Sequence, residues 1–370
     1  MEEFYRIREH VLVNKKNVGE WELFRGLFPP EIYKKMDEDF LQNIVITTET
    51  KTEDRVIEIL LKTKGITIGE LSKKIGISTE KVTEIIKYLK SFDLLEVFSK
   101  PINFSQDELE RYTRQLKLFS IFGSSYSVQE KIKNAKVIVI GLGGIGGWLV
   151  YNLASMGVGH IIGYDHDTVE LSNLNRQILY FVNDIGEGKA KIALNRIKQY
   201  NPDIRFEVYP YCVTENNYEK CIPKDSDIVV STVFPVEYWI NEYCVKNNIA
   251  IIAQGGGKYS PTGVIVMIPH KTGCFDCIKN PIDEWSELSN KIKVRYGNEY
   301  TPTTTFSPFI SLSSNIMAIE IFKIITGIYE PIHNIFIDPF TWEVKRDQFK
   351  LEKNKNCHVC GCLKDHVYNH

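Results

Sequence analysis

The stretch from Lys136 to Asp165 constrains this chain more than any other. Lys136–Ile140 is dominated by β-branched residues and reads as a short buried strand, and GLGGIG follows with glycines at Gly141, Gly143, Gly144 and Gly146. Trp148, Leu149, Leu153 and Met156 then recur with helical spacing, and a second strand, His160–Tyr164, ends in Asp165. Strand, glycine turn, helix, strand and terminal acid within about 30 residues is the order of a mononucleotide-binding βαβ unit. Such glycines let the backbone approach phosphates, the helix N-terminus presents N–H groups to negative charge, and the acid can accept from a ribose hydroxyl. A glycine turn that merely packs a helix on a sheet has no need of the acid, so nucleotide binding is the expectation.

The remaining composition narrows the class. A chain of 370 residues has room for one large core and a second domain. With 43% apolar and 25% charged residues it reads as soluble and globular, and a net charge of −2 gives no support to a nucleic-acid surface. Val137–Tyr164 carries no Asp, Glu, Lys or Arg, but its glycines and strand–turn–helix pattern point to buried α/β core instead of a membrane span. The opening MEEFYRIREH is charged and lacks the apolar run of a signal peptide, so a cytoplasmic location is expected.

Cysteine spacing marks a second site. Cys274 and Cys277 form one CxxC pair, and Cys357 and Cys360 form another. Two such pairs complete a tetrahedral thiolate site for structural Zn2+, closed to catalysis; redox dithiols or a disulfide are the competing readings. Cys362 reads as an additional, unliganded thiol.

Ahead of the glycine turn, Tyr5–Val13 suggests one or two strands, and Pro30 can open a helix through Met36 and Phe40. Asp54–Leu61, Ile68–Ile75 and a segment capped by Ser78 and carrying Val82, Ile85, Ile86 and Leu89 give three short helices, with Leu94–Phe98 as a wing strand. This is a winged-helix-like pattern. Its third helix mixes Lys81 and Lys87 with Glu80 and Glu84, which suits a peptide-binding or dimerising module better than a DNA reader. In FSQDELERYTRQLKLF, Ser105 and Glu108 form a capping box, and Arg111 and Arg114 lie three apart on the helix.

After the nucleotide unit, Asp165, Asp167 and Glu170 form an acidic entrance, followed by SNLNRQ and GKAK. Arg176 and Lys189 fall near the ends of parallel strands, where cationic groups can neutralise phosphate charge. Further strands at Ile204–Tyr209, Asp227–Thr232, Ile249–Ala253, Val264–Ile268 and Ile335–Ile337 alternate with helical segments. The fold expected is α/β: a Rossmann-like, mostly parallel sheet with helices on both faces, plus the N-terminal winged-helix-like domain. The expected division is 1–100 for recognition and 101–370 for the nucleotide domain with its cysteine tail.

The ordered set RYTRQ at 111–115, GLGGIG at 141–146, Asp165, SNLNRQ at 172–177, GKAK at 188–191 and the two CxxC pairs resembles the ThiF/MoeB branch of the ubiquitin-activating-enzyme superfamily. Within it, PHKTGCFDCIK, TTTFSP and the N-terminal domain are similar to MccB-type peptide adenylyltransferases, and that domain resembles the PqqD-type peptide-recognition module. The resemblance implies ATP-dependent adenylation of a carboxylate on a ribosomally made precursor peptide, in microcin-like natural-product biosynthesis. It implies ATP and Mg2+ as cofactors, a precursor or leader peptide as partner, and a homodimer. It also assigns residues: Asp165 to ribose, Asn173, Arg176 and Lys189 to phosphate, Asp167 and Gln177 to the nucleotide site, and Arg114 to the partner protomer's site.

Two departures stand out. The loop that bears a metal-binding aspartate in the family reads STVFPVE here, with Val233 and Phe234 at the matching positions and Glu237 as the nearest acid. No cysteine occurs between Cys277 and Cys357, so thioester relay is not expected. The alternative is therefore a non-adenylating scaffold that binds a leader peptide and delivers the precursor to a partner enzyme such as a YcaO-type cyclodehydratase.

Overall fold

The computed structural model describes residues 2–9, 11–17, 20–25, 44–48, 50–255, 262–278, 305–347 and 352–361. The chain divides into two compact units, Met1–Lys131 and Ile132–His370.

In the first unit, β1 (Phe4–Ile7) is followed by an antiparallel sheet of β2 (Val11–Asn17), β3 (Glu20–Arg25) and β4 (Ile44–Thr47). Three helices follow, Lys51–Lys62, Ile68–Ile75 and Thr79–Ser91, each opened by a hydroxyl cap: Thr50, Thr67 and Ser78 accept from the N–H of Glu53, Glu70 and Lys81. β5 (Leu95–Phe98) then returns antiparallel to β1. Val56, Ile57, Leu60, Leu71, Val82, Ile86 and Leu89 meet Trp21, Leu23 and Ile46 in one core. The buried Asp54 carboxylate is satisfied there by the Trp21 indole N–H at 2.7 Å and the Lys15 ammonium at 3.1 Å.

The three helices and the strand at 95–98 lie where the sequence predicts them. β3, β4 and a helix at Ser125–Asn134 are additions to that reading, and the helix expected from Pro30 lies outside the described residues. The helix Gln106–Phe119 opens with the expected Ser105–Glu108 capping box.

The second unit is built on an eight-stranded sheet. Its parallel part runs β8 (Arg205–Tyr209), β7 (His160–Tyr164), β6 (Lys136–Ile140), β9 (Ile228–Ser231), β10 (Ala250–Gly255). Then β11 (Thr262–Met267), β12 (Asn334–Asp338) and β13 (Glu343–Arg346) continue antiparallel. The chain moves outward from β6 to β7 and β8, then returns to place β9 on the other side of β6. That reversal opens a crevice at the C-terminal ends of β6 and its neighbours, where α/β sheets bind ligands.

Val137, Val139, Ile161, Val229, Val230 and Ile252 are buried, as expected for strands covered on both faces. The helix Ser307–Thr326 is long and apolar enough to cross a membrane by length and composition alone. It packs instead on the helix Gly144–Met156, with the Ser314 hydroxyl donating to the Ile145 carbonyl at 2.6 Å and Asn152 to Asn315 at 2.9 Å.

Candidate functional site

The glycine turn joins β6 to the helix Gly144–Met156 under tight steric limits. Gly141 has φ +90°, and a Cβ there would stand 2.5 Å from Thr232 Oγ1 and 2.6 Å from Val233 Cγ2. A Cβ on Gly146 would stand 1.8 Å from the Gly141 carbonyl oxygen, so only glycine lets the helix start this close to the strand. The helix has no side-chain cap, and its first N–H groups face the crevice end of the sheet as a site for an anion.

Asp165, 8% exposed, locks the turn to β7: one carboxylate oxygen accepts from the Leu142 N–H at 2.7 Å and the other from the Asp167 N–H at 2.9 Å. Tyr180 donates to the Leu142 carbonyl at 2.9 Å, and burial, followed by the nearby Asp165, Asp167 and Asp184, pushes its phenol well up so that it remains a donor. Thr232 donates to the Ile140 carbonyl at 2.9 Å from the far side. Neither Tyr180 nor Thr232 stands out in the sequence, because contacts across 38 and 92 positions leave no local signature.

The segment 171–177 folds over the turn. Gln177, 5% exposed, brings its Nε2 to 3.6 Å from the position of a Gly143 Cβ, and its buried Oε1 has no hydrogen-bond partner. Arg176 passes its Cγ within 3.8 Å of the position of a Gly144 Cβ and donates to the Ser172 carbonyl and Asn175 Oδ1, both at 2.9 Å. Asn173 is buried and accepts from the Glu170 N–H at 3.1 Å. Lys189, 4% exposed at the start of the helix Lys189–Tyr200, sets its ammonium 2.9 Å from Asp167. Gly141, Gly143, Gly144, Asp165, Asp167, Arg176, Gln177 and Lys189 thus belong to one connected region. Arg114 is exposed on the helix Gln106–Phe119 of the first unit.

The loop after β9 offers no exposed carboxylate. Val233 and Phe234 are 45% and 55% exposed, whereas Glu237 turns inward and is 4% exposed. This loop therefore does not fit a magnesium site, a hard cation needing oxygen ligands at its surface.

The four cysteines converge. The sulfurs of Cys274 and Cys357 are 3.7 Å apart, those of Cys277 and Cys360 3.4 Å, and those of Cys274 and Cys277 4.0 Å. A zinc ion with Zn–S bonds of about 2.3 Å needs tetrahedral edges of about 3.8 Å, so the cluster fits that ion, and none of these separations is a disulfide. Burial raises the Cys357 thiol, but the N–H groups of Cys360 and Val359 together with the Cys274 and Cys277 side chains outweigh it and bring the group to about 7, favouring a thiolate. Cys362 lies outside the described residues.

The sequence model of the ThiF family matches residues 112–359. The adenylyltransferase and sulfurtransferase UBA4 of Candida albicans is 32% identical over 264 residues, covering 70% of this chain and 58% of the relative. The chain thus spans little more than half the length of that relative. The sulfur carrier protein adenylyltransferase of Thermus thermophilus is 30% identical over 275 residues, covering 70% of this chain and 93% of the relative. Among solved structures, E. coli MccB with AMPCPP and MccA superposes with a TM-score of 0.61 at 23% identity, over 97% of this chain and 100% of MccB.

Proposed function

We propose, on the premise that this chain belongs to the ThiF family, that it is an ATP-dependent adenylyltransferase whose acyl substrate is a carboxylate of a ribosomally made precursor peptide. The observation that carries this reading is the joining of glycine turn, Asp165, Arg176, Gln177 and Lys189 into one region at the sheet's crevice. Two relatives are named adenylyltransferases, which supports the reaction class. The peptide substrate is supported by a fold held in common with MccB over 97% of the chain, MccB having been crystallised with MccA. In this reading residues 1–100 recognise the peptide as a PqqD-like module and 101–370 adenylate it, in the cytoplasm.

Each residue then has a role. Asp165 uses the acceptor capacity left after its two backbone bonds to hold the ribose. Gln177, with a free buried acceptor beside the turn, and the first N–H groups of the helix orient the phosphates. Asn173, Arg176 and Lys189 meet the phosphate charge that grows as the peptide carboxylate attacks the α-phosphorus and pyrophosphate leaves. Lys189 exchanges Asp167 for phosphate without leaving its buried seat. Arg114 serves the site of a second copy in a homodimer. The four cysteines hold zinc as a structural cross-link.

The test is peptide-dependent ATP–pyrophosphate exchange, with intact mass of the product, over a panel of synthetic peptides with free C-terminal carboxylates. An AMP-linked peptide is expected, and Lys189→Ala should slow exchange about 100-fold, the cost of removing one electrostatic stabiliser. Absence of both exchange and the AMP adduct overturns the reading. A second reading, a scaffold that captures a leader peptide and delivers it to a partner enzyme, is favoured by the carboxylate-free loop at 232–236. It predicts tight peptide binding, no ATP binding, and activation of a separate enzyme.

A further inference from the structure

Val233 stands directly against the glycine turn: a Cβ on Gly141 would lie 2.6 Å from its Cγ2. Its neighbour Phe234 is 55% exposed and rests edge-on against Tyr238, whose ring in turn meets Phe275 at 4.8 Å. The hydroxyls of this loop are spent on holding it. Ser231 donates to the Val233 carbonyl at 3.2 Å, and Thr232 to the Ile140 and Gly141 carbonyls at 2.9 and 3.3 Å. Glu237 shares the first turn of the helix Val236–Lys246 with the buried Val236, and that turn would have to unwind before its carboxyl could reach the crevice. On the β9 side of the turn the chain thus presents two apolar side chains and no carboxylate.

The carboxylates that do reach this end of the sheet stand on the other side. β7 and β9 flank β6, and Asp165 and Asp167 follow β7 whereas Val233 follows β9. Both aspartates are engaged. Asp165 accepts a backbone N–H at each oxygen, and Asp167 holds the Lys189 ammonium at 2.9 Å on one oxygen while the other faces His166 Nε2 at 3.4 Å. That imidazole is backed by the Cys212 sulfur, 3.0 Å from Nδ1. The place of a cation beside Asp167 is therefore filled by the chain's own ammonium. In formal charge the two aspartates balance Arg176 and Lys189, so the side chains gathered at the turn do not strongly favour either the free triphosphate or its complex with an ion.

We propose, on the reading of the crevice as an ATP site, that this chain gives a divalent cation no ligand there, Val233 standing where a carboxylate would have to stand. It then binds ATP with the same affinity in the presence and absence of Mg2+. Reciprocity requires this: an ion raises the protein's affinity for a nucleotide only as far as the protein raises the nucleotide's affinity for the ion. A hard cation gains from oxygen ligands, and valine and phenylalanine have none. Phosphate charge is met instead by the helix N-terminus after Gly143, by Arg176 and by Lys189, all in place before any ion arrives.

Equilibrium dialysis of labelled ATP against the full-length protein, without peptide, is run in two buffers. One holds saturating Mg2+, and the other is freed of divalent ions over a chelating resin before the protein is added, which spares the cysteine cluster. The two dissociation constants are expected to agree within about 3-fold. Val233→Asp puts a carboxylate beside Gly141, and its affinity for ATP should rise at least about 10-fold on addition of Mg2+, whereas Val233→Asn should stay indifferent to the ion. Binding by the unaltered protein that tightens about 10-fold or more with Mg2+ overturns the proposal, as does a Val233→Asp protein that ignores the ion. No ATP binding in either buffer overturns the nucleotide reading and this inference together. Ion-indifferent binding without peptide-dependent pyrophosphate exchange overturns adenylation alone.

Discussion

Cys360→Ser is expected to strip the protein of its zinc and to lower the thermal midpoint of the second unit by about 6–12 °C. Structural zinc sites of this kind contribute roughly 10–16 kcal/mol at neutral pH. Forfeiting even a quarter of that is about 3 kcal/mol, and each kcal/mol moves the midpoint of a unit this size by about 2–4 °C. The effect is large because the cluster cross-links the loop at 272–278 to the distant segment 352–361. Cys274, Cys357 and Cys360 pack with Val245 and Val359 in a small core of their own. The Asn241 side chain ties the Cys274 loop to the helix Val236–Lys246 by accepting from the Phe275 N–H at 2.9 Å. Without the ion, four sulfurs within 4.8 Å of one another have no counter-charge, and burial pushes the Cys274 thiol up to about 11. Elemental analysis and a melting curve, each with and without a strong chelator, measure this. A protein that emerges zinc-free, or melts at the same temperature after chelation, would refute it.

What the sequence could disclose follows from how far apart the interacting residues stand. The strand–turn–helix–strand from Lys136 to Asp165 is legible because each step is local: β-branched residues, glycines where backbones touch, an acid one residue past β7. The capping boxes of Thr67 and Ser105 are local in the same way. The two CxxC pairs were legible across a long interval only because each is a recognisable unit by itself. β3 is a different case. Trp21 and Leu23 are 3% and 0% exposed, but only two apolar residues alternate with Glu20 and Glu22, too short a period of two to stand out in the sequence. β13 is an exposed edge strand, EVKR, whose pairing with β12 leaves no apolar signature.

The meeting of Cys212 with His166 is beyond reach of sequence pattern, since it depends on β7 and β8 being neighbours in register. Burial is equally a product of the whole fold. In the sequence Glu237 is only the acid nearest the STVFP loop, and nothing local reveals that its carboxyl faces the core.

That inward carboxyl sets the pH response of the fold. Glu237 is 4% exposed, and its Oε2 has no hydrogen-bond partner. Burial raises the group from 4.5 to about 7, opposed only by its own backbone N–H and the Ser231 hydroxyl. The folded chain therefore keeps a proton that the unfolded chain releases above pH 4.5. The stability linked to this group is fully present below 4.5, declines as pH rises, and is lost above about 7. A shift of that size corresponds to about 3 kcal/mol.

Glu237→Gln keeps the shape and removes the charge. It is expected to match the unaltered protein at low pH and to exceed it by about 3 kcal/mol at pH 8, in urea unfolding of the full chain at several pH values. Parallel pH profiles for the two proteins would refute the assignment. The same variant separates two uses of the residue. A carboxyl that only fills the core beneath Thr232 and Val233 can lose its charge with turnover intact, and that is the expected result. A carboxyl that must ionise and swing out to serve the phosphates cannot, and Glu237→Gln would then abolish pyrophosphate exchange while it stabilised the fold.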